Sequence, residues 1–352
     1  MRHRFPASTG VLAVAIAMVA LASMPVAAQA PKAGARPAPT TPAAKPWTPP
    51  KTAWGDPDLQ GIYTSDDYIG VGLQRNTQFG DRLYLTDQEI AQREAQLKTQ
   101  AANDLQETVN PNARVGTGPP GHWGERAKRP PKQTSLIVDP PNGRLPETTA
   151  EAKTRKVGIG AGENDPKADS WEDFTYYIRC ITRGVAGSIL PVIYGNGTQI
   201  VQGPGYVAIM HEMVHEARII PLDGRPHVGS NIRTYMGDSR GRWEGNTLVV
   251  ETTNFLPNKT GLGGNGGGVP LSDSARLVER FTKTAPDTIS YELNVDDEKT
   301  YVRPIKITFP IKQEPGYQLF EYACNEGNLG MHNQLSAART LEKAADEAAK
   351  KK

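Results

Sequence analysis

Along the last third of the chain, apolar and polar residues alternate with a period of two. Ile289, Tyr291, Leu293 and Val295 alternate with Ser290, Glu292 and Asn294, and Ile305, Ile307, Phe309 and Ile311 with Lys306 and Thr308. Side chains of a strand point to opposite faces in turn, so this pattern predicts strands with one buried side. Thr247 to Phe255 and Leu277 to Phe281 are further strand-like runs, and Phe320, Tyr322 and Cys324 mark one side of a last one. Turn signals fall at Gly203-Pro204-Gly205, Asp223-Gly224, Arg240-Gly241, Pro286-Asp287 and Pro315-Gly316. Short strands at close spacing indicate a mainly β, antiparallel protein. A calycin- or lipocalin-like barrel, which removes exposed edges, is expected, with a β-sandwich as the alternative.

Before residue 180 the pattern is different. Thr86-Asp87-Gln88-Glu89 is a capping box that opens a helix running to about Leu105. Residues 106–133 are rich in Pro, Gly, Arg and Lys and predict an irregular excursion. Thr134 to Val138 reads as a strand closed by Asp139-Pro140-Pro141-Asn142-Gly143, and Trp171 to Thr182 as a short helix. The amino-terminal region is therefore irregular and partly helical.

The two ends give the compartment. Arg2, His3 and Arg4, the apolar run Val11 to Ala22 and the small residues Val26-Ala27-Ala28 have the form of a secretory signal peptide over residues 1–28. Residues 29–51, mostly Pro, Ala, Thr and Lys, read as a disordered linker. Residues 52–336 read as a single β-rich domain, and 337–352 as a charged tail, a frayed and solvated helix. The expected location is periplasmic or secreted, with no membrane span in the mature chain. Forty Lys and Arg nearly balance 38 Asp and Glu, so no nucleic-acid surface is indicated. In an exported chain with two cysteines, a Cys180–Cys324 disulfide is the expectation. It closes a very long loop, worth about 4–5 kcal/mol in the chain-entropy model.

Candidate chemistry centres on His211-Glu212-Met213-Val214-His215. On a helix this is the H-E-x-x-H of a zinc peptidase, with the two histidines about 6 Å apart and Glu212 as base. On a strand the same four-residue step covers about 13 Å, beyond the reach of one ion. The β-branched Val207, Ile209, Val214, Ile219 and Ile220, together with the glycines upstream and Pro221 downstream, favour an extended Tyr206 to Ile220. His211, Met213 and His215 then share one face, and Glu212, Glu216 and Arg218 the other. Zinc held by His211 and His215 is the alternative; no cofactor is the primary expectation. Gly261-Leu262-Gly263-Gly264-Asn265-Gly266 fits a dinucleotide fingerprint formally, but no helix follows it. A mobile loop able to cover a ligand mouth is the better reading. Ser239 reads as part of a hairpin turn rather than as a nucleophile.

The runs Arg179 to Gly184, Glu216 to His227, Gly237 to Gly245 and Tyr322 to Asn328 resemble a large group of exported bacterial proteins, over roughly residues 55–336. His215 and Arg218 match that group, whereas the position of His211 is often another polar residue. The resemblance weakens H-E-x-x-H as a ligand motif and implies no particular reaction.

Strand ends rich in Arg, His and Glu can line one opening of a barrel, where desolvation moves carboxylate and imidazole pKa values toward neutrality. The expected catalytic set is His215 as base, Arg218 or Arg233 as electrostatic partner, and Glu244 and Glu326. The expected ligand-binding set is His211, Met213, His227, Trp243 and Tyr322. The ligand is a small apolar or aromatic molecule. The reaction expected is a cofactor-independent lyase or isomerase step, with a non-catalytic carrier and a zinc hydrolase as the competing classes.

Overall fold

The computed structural model describes residues 47–104, 124–160 and 168–351. The expected signal peptide and most of the expected linker, Leu105, much of the 106–133 excursion and Lys352 lie outside the described residues. Among the described residues there are ten strands: β1 (Gly61–Thr64), β2 (Ile137–Asp139), β3 (Thr198–Gly203), β4 (Tyr206–His211), β5 (Ala217–Pro221), β6 (Asp238–Glu244), β7 (Thr247–Thr253), β8 (Arg276–Ala285), β9 (Thr288–Asp296) and β10 (Ile305–Gln313). The same residues form four α-helices: α1 (Asp87–Asp104), α2 (Ala150–Lys153), α3 (Gly184–Ile189) and α4 (Leu329–Lys350).

Nine strands follow the order β5-β4-β3-β1-β10-β9-β8-β7-β6, each antiparallel to its neighbour, while β2 adds to β10. The sheet is a nearly closed antiparallel barrel, as the alternating pattern predicted, and not a sandwich. With nine strands in alternation, the end strands β5 and β6 run parallel, and no ladder joins them. They meet through side chains: a Cβ on Gly241 would lie 2.6 Å from Leu222 Cδ2 and 2.9 Å from Ile220 Cγ2. Glycine is required there because the seam leaves no room for anything larger.

Inward positions follow the period of two. Leu277, Phe281, Ile289, Tyr291, Leu293, Val295 and the four alternate residues of β10 from Ile305 to Ile311 form one apolar cluster with Ile200, Val207, Ile209 and Ile220. Phe281, Tyr291 and Phe309 stack as tilted pairs, with ring centroids 5.0 and 5.3 Å apart. The barrel axis is thus filled by side chains.

The end at which β4 turns into β5 is plugged. Every residue of α3 is buried, and Val185, Ala186 and Ile189 join the strand cluster. The glycine-rich loop expected to be mobile is seated beside α3, with buried Leu262 and Thr260 and with Gly261 N–H bonded to Gly266 O and Gly263 N–H to Gly267 O.

Several local readings are corrected. Arg240-Gly241 is not a turn: it lies within β6, and the hairpin bend comes after Glu244. Residues 317–324 form no strand but an irregular strap. The helix expected over Trp171 to Thr182 is only a 3-10 turn at Trp171–Asp173, and the regular helix starts later, at Gly184. Of the expected tail, residues 337–350 belong to a helix that begins earlier, at Leu329, where Asn328 caps it and also bonds to Ile178 O. Arg339 ties that helix to Ala168 O and Asp169 O. The capping box is formed: Thr86 N–H donates to Glu89 Oε2 at 2.8 Å, and Glu89 N–H to Thr86 Oγ1 at 3.3 Å. Cys180 and Cys324 are disulfide-bonded. Among the described residues no helix is long and apolar enough to cross a membrane.

Candidate functional site

The segment expected to be one long strand is two strands and a tight turn. Extended structure covers Tyr206–His211 and Ala217–Pro221, and Met213–His215 forms a 3-10 turn in which Val214 has φ +61°. A β-branched residue in the left-handed region is strained. It is held there because β4 and β5 pair across the bend and His211 N–H bonds to Glu216 O. The turn abolishes the shared face predicted for His211, Met213 and His215: His211 and Arg218 both point into the barrel. It also leaves the helical H-E-x-x-H arrangement unformed. The His215 side chain lies outside the described residues.

Glu212 is committed to another task. Its carboxylate accepts from Tyr317 Oη at 2.5 Å, from Phe320 N–H at 3.0 Å and from Gly197 N–H at 3.3 Å. These bonds, with the disulfide, hold the strap 317–324 against the start of β3. A Cβ on Gly197 would meet Leu319 Cδ2 at 2.5 Å and Glu212 Oε2 at 2.6 Å. Gly197→Ala is therefore expected to lift the strap, read as faster cleavage between residues 317 and 324 in limited proteolysis.

Beneath the strap is a cavity of about 270 Å³ lined by Glu125, Tyr194, Gly195, Glu212, Tyr317, Phe320, Glu321 and Tyr322. On one side of it, Asn196 Nδ2 bridges two carboxyl groups, Asp66 Oδ1 and Glu125 Oε2, at 2.9 Å each. Burial, then the hydrogen bond and charge of Glu125, push the Asp66 pKa up to about 7, against opposing hydrogen bonds from Asn196 and Thr64. Asp66 thus holds a proton near neutral pH. A group whose pKa rises on folding stabilises the fold below its unfolded value, and that contribution is lost as pH rises through the folded value. The thermal midpoint is expected to fall between pH 4 and 8 more steeply in the wild type than in Glu125→Gln, as followed by circular dichroism.

Behind Tyr194 and Tyr322 stands Arg183. It is 0% exposed, and Nε, Nη1 and Nη2 have no hydrogen-bond partner. Its guanidinium lies 5.8 Å from the Tyr177 ring centroid and within the field of Tyr177, Tyr322, Tyr194 and Glu216. Burial lowers its pKa to about 10, yet it stays charged at neutral pH. Glu216 also accepts from Thr182 Oγ1 at 2.5 Å. A buried cation without hydrogen bonds costs stability. Arg183→Met is expected to raise stability by about 1–3 kcal/mol in urea denaturation; a loss would make Arg183 a structural residue.

His211, 1% exposed, contacts Thr198 Oγ1 through Nδ1 at 3.1 Å, while Nε2 has no partner. Burial, then the charges of Arg218 and Arg183, hold it well below the ordinary imidazole value, so the ring is neutral. Arg218 makes a bidentate pair with Glu279 across the barrel interior, at 2.5 and 2.9 Å, and Tyr291 Oη donates to the same carboxylate at 3.1 Å.

The remaining expected site residues are not brought together. Arg233 is tied to Phe255 O and Asp273 O. Glu244 is exposed and pairs with Arg242 and Arg280 on the outer face. His227 is bonded through Nδ1 to Asp238 at 2.8 Å, with Glu251 at 3.7 Å. Trp243 packs against the core, its indole N–H unpartnered, and Glu326 is exposed just past the disulfide. Ser239 is a buried strand residue sharing a hydrogen bond with Thr252. Met213 is buried with its sulfur 4.0 Å from Tyr177 Oη. Of the expected set's described side chains, Tyr322 alone lines the strap cavity, with His211 and Arg218 in the interior layer near Arg183. Asp66, Glu125 and Arg183 were not anticipated. Among the described residues no group of three His, Cys, Asp or Glu is placed to hold a metal ion.

The chain matches no known protein family, no curated protein and no solved structure. The functional reading therefore rests on this geometry.

Proposed function

We propose that this chain is an exported small-molecule-binding barrel protein whose site is the cavity under the strap, and that it carries out acid–base chemistry there, as a lyase or isomerase. The carrying observation is the Asp66–Glu125 pair, bridged by Asn196 Nδ2 beside a cavity whose lining includes four aromatic rings. A general acid or base is most effective when its pKa lies near the working pH, which burial and the neighbouring Glu125 achieve at Asp66. Glu125, which lines the cavity and shares Asn196 with Asp66, passes the proton between Asp66 and the ligand. Arg183, behind Tyr194 and Tyr322, supplies positive potential for an oxygen that gains charge.

A carrier using the same cavity is the competing reading, favoured by the strap, which Glu212 and the disulfide hold over the ligand space. Mass spectrometry of molecules that co-purify with the protein, before and after incubation with extract, separates the two. Phe320→Ala is expected to lose the bound molecule. Glu125→Gln is expected to keep it unchanged where the wild type converts it. A molecule retained equally by Phe320→Ala places the site elsewhere, and one that the wild type never converts makes the protein a carrier.

A further inference from the structure

The strap cavity has walls of a particular kind. Tyr317 and Phe320 meet edge to face, with ring centroids 6.3 Å apart and an interplanar angle of 89°. Tyr194 and Tyr322 complete the lining, and Phe320, at the mouth, is 69% exposed. Among the described residues, the charged groups bordering the cavity itself are carboxyls. Glu125, Glu212 and Glu321 line it, and the Tyr317 hydroxyl lies within the field of Glu212, Glu125 and Asp66. The described cations near it stand outside this lining. Arg183 lies behind Tyr194 and Tyr322, with Glu216 in its own field, Arg126 donates to the Glu125 backbone carbonyl, and Lys128 is paired with Glu314. Ring faces carry negative quadrupole potential, so rings set at right angles beside carboxylates attract a cation that is large and poorly hydrated. About 270 Å³ is near the lower end of small-molecule sites, enough for a head group rather than an extended ligand.

We propose that the cavity formed by Tyr194, Tyr317, Phe320 and Tyr322 is an aromatic cage for an organic ammonium group, with Glu125 as its counter-charge. This deepens the reading of the site given above and rests on it: the ligand is an amine or quaternary ammonium compound whose cationic head enters under the strap. Binding is then linked to the carboxyl pair. A cation next to Glu125 favours ionisation of Asp66, so binding releases a proton and tightens as pH rises from 6 to 8. The groups that set this linkage are Asp66 and Glu125 with Asn196 and Thr64 against them, Glu212 and Tyr317 from the strap side, Glu321 at the rim, and Arg126 and Arg183 behind the lining.

Choline and its neutral isostere 3,3-dimethyl-1-butanol test the proposal by titration calorimetry on the full exported chain. Choline is expected to bind about tenfold more tightly than the alcohol, with proton release revealed by heats that differ between buffers of different ionisation enthalpy. Phe320→Leu, at an exposed position that does not endanger folding, is expected to weaken choline about five- to tenfold and the alcohol by about twofold or less. Glu125→Gln is expected to abolish the proton release. Equal binding of the two probes overturns the ammonium proposal while leaving the cavity as a ligand site. Binding of neither probe also overturns it, and the co-purification experiment then judges the site reading on its own.

Discussion

Glu279→Gln is expected to destabilise the protein by about 3–5 kcal/mol, more than any other single polar substitution considered. Glu279 is wholly buried, accepts both terminal nitrogens of Arg218 and takes the Tyr291 hydroxyl as a third donor. Burial alone would pull the Arg218 pKa down, but the Glu279 charge and hydrogen bonds raise it, so the guanidinium is locked in its charged form. Neutralising the carboxylate leaves two buried cations in the interior, Arg218 and Arg183. The cost is that of an uncompensated charge rather than that of one lost hydrogen bond.

The pair also has a place in the architecture. Arg218 is on β5, which meets β6 without a ladder, and Glu279 is on β8, two strands beyond β6 in the sheet order. The ion pair therefore reaches across the open seam from inside the barrel. A double variant, Arg218→Met with Glu279→Leu, removes both charges together and is expected to recover most of the loss in equilibrium urea unfolding. If Glu279→Gln costs less than about 1 kcal/mol, the interior is wetter than its burial implies. If the double variant is as poor as the single one, the pair is needed to close the seam and not only to neutralise itself.

How far this was legible in the chain differs from element to element. β8, β9 and β10 alternate strictly because one face of each meets the packed axis and the other meets solvent. Their period of two was visible, and so was the capping box of α1, which depends on residues three apart. Gly241 misled because glycine in a polar run reads as a turn; its actual constraint is the pressure of Ile220 and Leu222 across a seam that no local pattern encodes. The strap misled in the opposite direction: Phe320 and Tyr322 alternate as a strand would, but no neighbouring strand pairs with them. His211-Glu212-Met213-Val214-His215 was recognised as unsuited to a helix. The bend at Val214 was hidden, since it follows from pairing between β4 and β5 and not from valine, which disfavours it.

The site itself was mostly invisible. Asp66, Glu125 and Arg183 come from three separate stretches, and only the fold sets Asp66 against Glu125. Arg183 stood inside Arg179-Cys180-Ile181-Thr182-Arg183-Gly184, a run with clear character, yet a lone arginine carries no sign that it is buried. Tyr322 was singled out as one of Phe320, Tyr322 and Cys324 on one side of an expected last strand, a strand that does not form.

That cysteine pair carries the second large effect. Replacing Cys180 and Cys324 together by serine is expected to cost about 4–5 kcal/mol, because the bond closes a separation of 144 residues. The loss is not expected to be uniform. Cys180 follows the turns that lead into α3, and Cys324 ends the strap, so the bond fastens the strap to the plug of the barrel. Without it the strap keeps the Glu212 contacts to Tyr317 and Phe320 and the hydrogen bonds of Tyr322 with Tyr177 and Tyr194, and α4 keeps Asn328 and Arg339. The strand ladders are untouched. Local opening of residues 317–328 should thus precede global unfolding, and hydrogen exchange at Phe320 and Cys324 amides should accelerate well below the main transition. Loss of ligand retention in the same range, with far-ultraviolet dichroism unchanged, ties the binding site to the strap. Exchange that accelerates only with the whole barrel would show that the strap has no independent stability and that the cavity cannot open while the fold is intact.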